Sequence, residues 1–181
     1  MIEIIPAILP KDFKEIENKL EQVRGLARMV QIDICDGAYV TSKTWPYTTD
    51  EEVFQSIVDQ ERGMPFWEDM EFEFDLMIKN PYEKIQNYIS LGAKRLIIHL
   101  NSAPKEELLH IMADFGKTSD ALAPFDIDLG LAITSRENVE LLEPYINDIS
   151  FVQVMGIQNV GFQNQSFEFF QLPLPLVLLF F

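Results

Sequence analysis

The sequence is poor in several things, and each shortage excludes something. Cys35 is the only cysteine, so no internal disulfide can form, and a reducing, cytoplasmic setting is expected. Cations are scarce as well. Fourteen Lys and Arg face 29 Asp and Glu, giving a formal net charge of −15 and a pI near 4.4. A field of that sign repels nucleic acid and anionic lipid, so neither is expected as a partner. A small phosphorylated ligand is still allowed, because backbone N–H groups at a helix N-terminus bind one phosphate locally. No apolar run approaches the roughly 20 residues of a membrane helix. The opening MIEIIPAILPKDF has no basic stretch ahead of an apolar core, so no signal peptide is expected. No GxGxxG or Walker loop follows the first apolar run, which counts against a dinucleotide or nucleotide fold.

What is present is an alternation of short β-branched runs with amphipathic stretches. Residues 3–9 read as a strand, and 11–23 carry Phe13, Ile16, Leu20 and Val23 at helical spacing. Further strands are predicted at 29–35, 71–77, 95–100, 126–133 and 151–155. Helices are predicted near 51–60, from Pro81 to a stop at Gly92, at 105–115 and at 136–145. Strands separated by single helices imply right-handed βαβ units and a parallel sheet. About six units fit in the chain, as a doubly wound sheet or an incomplete barrel, and periodicity alone leaves both open.

The chemistry concentrates in residues 30–40, VQIDICDGAYV. Side chains alternate along a strand, so Gln31, Asp33 and Cys35 share one face. If that face lines a barrel, Asp33 is an acid near the catalytic rim; otherwise it caps a loop or pairs with a neighbour. Asp36-Gly37 suits the turn leaving the strand, with the carboxylate bonded to its own backbone. Cys35 is expected to pack as a small apolar residue. His99 is either a rim residue or a satisfied polar group near the strand end, and His110 is expected to face solvent.

Four segments in order resemble the ribulose-phosphate 3-epimerase family. Pro6-Ala7-Ile8-Leu9 is similar to its P-S-I-L. Gln31, Asp33, Cys35, Asp36, Gly37, Tyr39 and Val40 follow H-x-D-x-M-D-G-x-F-V. Glu73, Asp75, Leu76, Met77 and Pro81 follow D-x-H-L-M-x-x-x-P. Residues 152–155 and 161–167 echo V-x-M and G-F-G-G-Q-x-F. The resemblance implies an α/β fold of the (β/α)8 TIM-barrel type, incomplete here, over residues 1–166. Its length of 181 residues falls short of the about 250 usual for a complete barrel. Residues 167–181, FEFFQLPLPLVLLFF, form an anomalous apolar tail. A gene-model error, frameshift or fragment end is the expected origin, with a genuine seventh strand or a partner-docking segment as the alternative. Six parallel strands cannot close an eight-strand barrel, so the first and sixth are expected to keep unpaired edges.

By the same resemblance the chain is expected to be an isomerase, an epimerase of carbohydrate metabolism acting on a ketopentose phosphate by metal-assisted proton transfer at C3. Such chemistry needs one group to remove a proton and another to return it. Asp33 matches the strand-two acid and is the catalytic candidate. Leu9, Met77, Met155, Gly161 and Gln165 match substrate-binding positions. The implied metal ligands are Gln31, Asp33 and Asp75, with Gln31 and Asp75 standing at histidine positions. Such oxygen donors favour Mg2+ or Mn2+ over Zn2+. The second acid, expected beyond Met155, has no counterpart, since no aspartate follows Asp148. A related phosphosugar chemistry with D-x-K-x-x-D on strand two is disfavoured, because Cys35 stands where the lysine is needed. The other alternative is a catalytically impaired relative serving in binding or assembly. A phosphosugar and a second copy of the chain (a homo-oligomer) are the candidate partners.

Overall fold

Each predicted strand except the first forms close to its expected place, and the order of the elements follows the sequence. The computed structural model describes residues 3–119, 127–157, 159–162, 165–166 and 179–180. The elements run β1 (Ala7–Ile8), α1 (Phe13–Val23), β2 (Met29–Cys35), α2 (Glu51–Val58), β3 (Glu71–Met77), a 3-10 turn (Tyr82–Lys84) leading into α3 (Ile85–Ser90), β4 (Ala93–His99), α4 (Lys105–Phe115), β5 (Asp128–Thr134), a 3-10 helix (Val139–Tyr145), β6 (Phe151–Met155) and β7 (Leu179–Phe180). All pairings between these strands are parallel and join them in chain order. Among the described residues, no helix is long and apolar enough to cross a membrane.

Local sequence explains the better-defined pieces. Asp12 caps α1 by accepting from the Glu15 N–H at 2.7 Å, while the Glu15 carboxylate reaches back to the Lys11 N–H at 2.8 Å. Phe13, Ile16 and Leu20 then point into the core from one face. The chain leaves α1 through Gly25, whose φ of 76° suits a residue without a side chain.

Alternation divides every strand between two environments. Ile32, Ile34, Phe72, Phe74, Leu76, Leu96, Ile98, Leu129, Leu131, Val152 and Val154 all belong to one apolar cluster with the helices. The intervening residues, among them Gln31, Asp33, Cys35, Glu73, Asp75, Met77, His99 and Gln153, face the other way. That second face is enclosed. Gln153 on β6 donates from Nε2 to Asp75 Oδ2 on β3 at 3.1 Å. Three strand spacings separate those strands, roughly 14 Å in a flat sheet. The direct bond therefore requires a sheet that curls around its polar side, as in a partial (β/α) barrel.

Four expectations change in detail. The first strand spans two residues rather than seven, because Pro6 and Pro10 flank it and offer no N–H to a ladder. The helix expected at 136–145 is a 3-10 helix containing Pro144, which removes one helical donor. The helix after Pro81 begins as a 3-10 turn. The sixth strand is not left as an edge, since Gln153 and Val154 pair with Leu179 and Phe180. The remainder of the apolar tail, 167–178 and 181, lies outside the described residues.

Candidate functional site

The inward residues of β2, β3, β4 and β6 meet in one polar cluster. On β2, Gln31 donates from Nε2 to Asp33 Oδ1 at 2.7 Å. Parallel pairing sets Asp33 beside Asp75 on β3. The two oxygens of Asp75 face different strands: Oδ1 lies 2.8 Å from His99 Nε2, and Oδ2 accepts from Gln153. Gln31, Asp75, His99 and Gln153 are buried, whereas Asp33 is half-buried. Beneath them the buried Glu73 lies 3.5 Å from Arg95, whose guanidinium sits over the Phe151 ring.

Sulfur and aromatic groups occupy the C-terminal side. Cys35 Sγ and Met77 Sδ are 3.9 Å apart, Met155 Sδ lies 3.2 Å from Gln153 Nε2, and the Tyr39 ring leans on His99 at 5.4 Å. The loops above are tied together. Asp36 accepts from Ala38 and Tyr39 through Oδ1, and from the Lys79 N–H through Oδ2, which joins the β2 and β3 loops. Gly161, at φ 84°, brings the loop after β6 close to Val40 and Ser42. Gln165 serves that loop's own shape, accepting from the Asn159 N–H and donating to the Asn159 and Phe162 carbonyls.

The electrostatics favour bound protons. Burial, and then the neighbouring Asp75 charge, push Asp33 up to about 7 against the hydrogen bond from Gln31. Burial likewise raises Glu73 to about 7, with Arg95 opposing. Burial pushes the Cys35 thiol up to about 12, which keeps it protonated and fits the packing role expected of it. Asp36 moves the other way. Burial raises it, but three backbone N–H donors outweigh that effect and hold it below the usual range.

Gln31, Asp33 and Asp75, the expected metal ligands, are brought together by the fold. Their donors do not fit a divalent metal centre. Gln31 and Asp33 are engaged with each other, and both Asp75 oxygens face N–H donors. Among the described residues, no three His, Cys, Asp or Glu side chains converge as a metal-binding group. Of the substrate candidates, Met77 is buried and Met155 half-buried at the strand ends. Leu9 is half-buried just after β1, and Gly161 and Gln165 lie in the loop after β6. A recess of about 490 Å3 lined by Tyr47, Lys84 and Tyr88 lies elsewhere and shares no residue with the cluster.

Sequence reasoning missed the partnership of His99 and Gln153 with Asp75, as well as the Glu73–Arg95 pair beneath it. Their signal was parity, since each is a polar residue at an inward position of an otherwise apolar strand. His99 was expected to be a rim or satisfied group. It is buried, with Nε2 on Asp75 and Nδ1 without a partner. His110 is exposed on α4 as expected.

Comparison with known proteins gives a consistent result. The model of the "Ribulose-phosphate 3 epimerase family" matches residues 3–173. A ribulose-phosphate 3-epimerase of Bacillus subtilis is 27% identical over 174 residues, covering 96% of this chain and 70% of the relative. Enzymes of the same name from Chlamydia muridarum and Chlamydia pneumoniae are 23% and 26% identical, over 91% and 83% of this chain. The chain spans 63% and 56% of those two relatives' lengths.

Proposed function

The chain belongs to the ribulose-phosphate 3-epimerase family, and from that premise we propose that it binds a ketopentose phosphate at the strand ends and that Asp33 exchanges the proton on C3. The observation that carries this reading is the place of Asp33. It stands on the inner face of the curled sheet, half-buried, with a carboxyl pushed to about 7. A carboxylate of that basicity takes up a proton near neutral pH far more readily than an ordinary one, and it returns it as easily. A hydrogen beside a ketone is acidic because the resulting charge spreads onto the oxygen as an enediolate.

Other residues supply the surroundings. Gln31 orients the Asp33 carboxyl, leaving its own Oε1 buried without a partner; Gln153 Oε1 and His99 Nδ1 are likewise free. These three buried atoms are unused hydrogen-bonding capacity within the cluster. Met77 and Met155 present apolar surface beside them. The donor arrangement around Asp33 and Asp75 matches neither Mg2+ nor Mn2+, and the proposed proton exchange rests on Asp33 itself.

A second reading rests on a specific observation. Glutamine and aspartate occupy the two positions where the family resemblance expects histidines, which suits a relative retained for binding or assembly. One assay separates the two. The full chain is incubated with ribulose 5-phosphate in D2O, with EDTA, Mg2+ or Mn2+, and deuterium at C3 is followed by NMR. Exchange that vanishes in Asp33→Asn supports the catalytic reading. No exchange under any condition refutes it and leaves the binding role.

A further inference from the structure

We infer that in this chain a side-chain hydrogen-bond bridge, His99–Asp75–Gln153, occupies the place where metal coordination would otherwise hold the site together. The inference rests on membership of the family and concerns this chain's own residues. Asp75 stands at a position where the resemblance expects a neutral imidazole. A buried carboxylate there must find donors or become costly. It finds two. His99 on β4 meets Oδ1 at 2.8 Å, and Gln153 on β6 meets Oδ2 at 3.1 Å.

The bridge links β3, β4 and β6 directly, which is the cross-linking that a shared ion performs in a metal centre. A cation against Asp75 would sit close to the N–H groups that now point at both of its oxygens. Gln31 has a related arrangement. At the other expected histidine position it donates to Asp33, taking up one oxygen of the carboxyl that resembles the family's acid. Both substitutions exchange a lone-pair nitrogen for a group that completes a hydrogen-bonded pair.

Manganese titration of the full chain, followed by the loss of the free-ion electron paramagnetic resonance signal, tests this without reference to turnover. The wild type is expected to leave the signal undiminished, and its melting temperature is expected to be the same in EDTA as in Mn2+. The double variant Gln31→His/Asp75→His, which rebuilds the histidine pattern around Asp33, is expected to gain metal binding, read by Co2+ absorption. Stoichiometric Mn2+ uptake by the wild type, abolished in Asp33→Asn, overturns the inference. So does a folded double variant that binds neither ion, because the two substitutions would then not account for the loss. Should the double variant fail to fold, the wild-type titration decides alone. The deuterium assay can succeed or fail under either result, so the two readings fail separately.

Discussion

Acidification should stabilise this protein, and Asp33 should be a main reason. Its carboxyl moves from an ordinary 3.8 to about 7 in the fold. The native state therefore holds a proton that the unfolded chain releases. Between roughly pH 4 and 7 the native chain binds more protons than the unfolded one, so stability falls as pH rises, by up to about 1.4 kcal/mol per unit for each such group. A rise of about three units sets a ceiling near 4 kcal/mol, fully lost above pH 7. Asp33 is half-buried, and relaxation lowers the effective cost, so about 1–2 kcal/mol is the working figure. Asp33→Asn keeps an oxygen for the Gln31 amide and carries no charge. At pH 8 it should raise the melting temperature by about 2–8 °C, taking about 2–4 °C per kcal/mol for a chain of this size. It should also flatten the decline between pH 5 and 8, leaving the part due to Glu73. Melts followed by circular dichroism across that range measure both. A lower melting temperature for the variant at pH 8, or a wild type that gains stability from pH 5 to 7, would refute the reasoning.

Other perturbations test the neighbouring parts. Gln153→Leu leaves Asp75 Oδ2 without its donor and should cost about 1–3 kcal/mol in urea denaturation. Asp36→Ala removes the acceptor of three backbone N–H groups, and trypsin should then cut faster at Lys43 and Lys79. At Gly161 an added Cβ would lie 2.6 Å from Ser42 Oγ and 3.0 Å from Val40 Cγ2, on a backbone with φ 84°. Gly161→Ala should therefore destabilise the chain by about 1–2 kcal/mol and speed amide exchange at 159–162. The Cys35 thiol, held at about 12, should react with a thiol reagent at pH 8 only after denaturation.

Much of the fold was legible because its determinants are local. The period of Phe13, Ile16 and Leu20 identifies α1, and the same residues face the core. Where the expectation slipped, proline decided. Pro6 and Pro10 cut β1 to two residues, and Pro144 accompanies a 3-10 helix in place of an α-helix. A seventh strand in the tail was legible only as the less favoured alternative, and its pairing with β6 through Leu179 and Phe180 was not. An apolar run carries no register, and its partner strand is chosen by the curl of the whole sheet.

The candidate site divides along the same line. Strand alternation puts Asp33 with Gln31 and Cys35 on one face from sequence alone, and the family resemblance singles it out among them. The bond between Asp75 and Gln153 joins residues 78 positions apart on strands that are not neighbours. No periodicity reaches that far, and only closure of the sheet makes the contact. The consequence is chemical as well as topological. Read singly, Asp75 is an oxygen donor suited to a hard cation. Inside the curl it is an acceptor already matched by two N–H groups, so its role is set by His99 and Gln153 rather than by its own side chain. The nearby Asp33 has one amide partner and a like-charged neighbour. Asp33 and the buried Glu73 beneath it are both pushed to about 7, but Glu73 is opposed first by the Arg95 guanidinium, whereas Asp33 is opposed first by the neutral Gln31 amide.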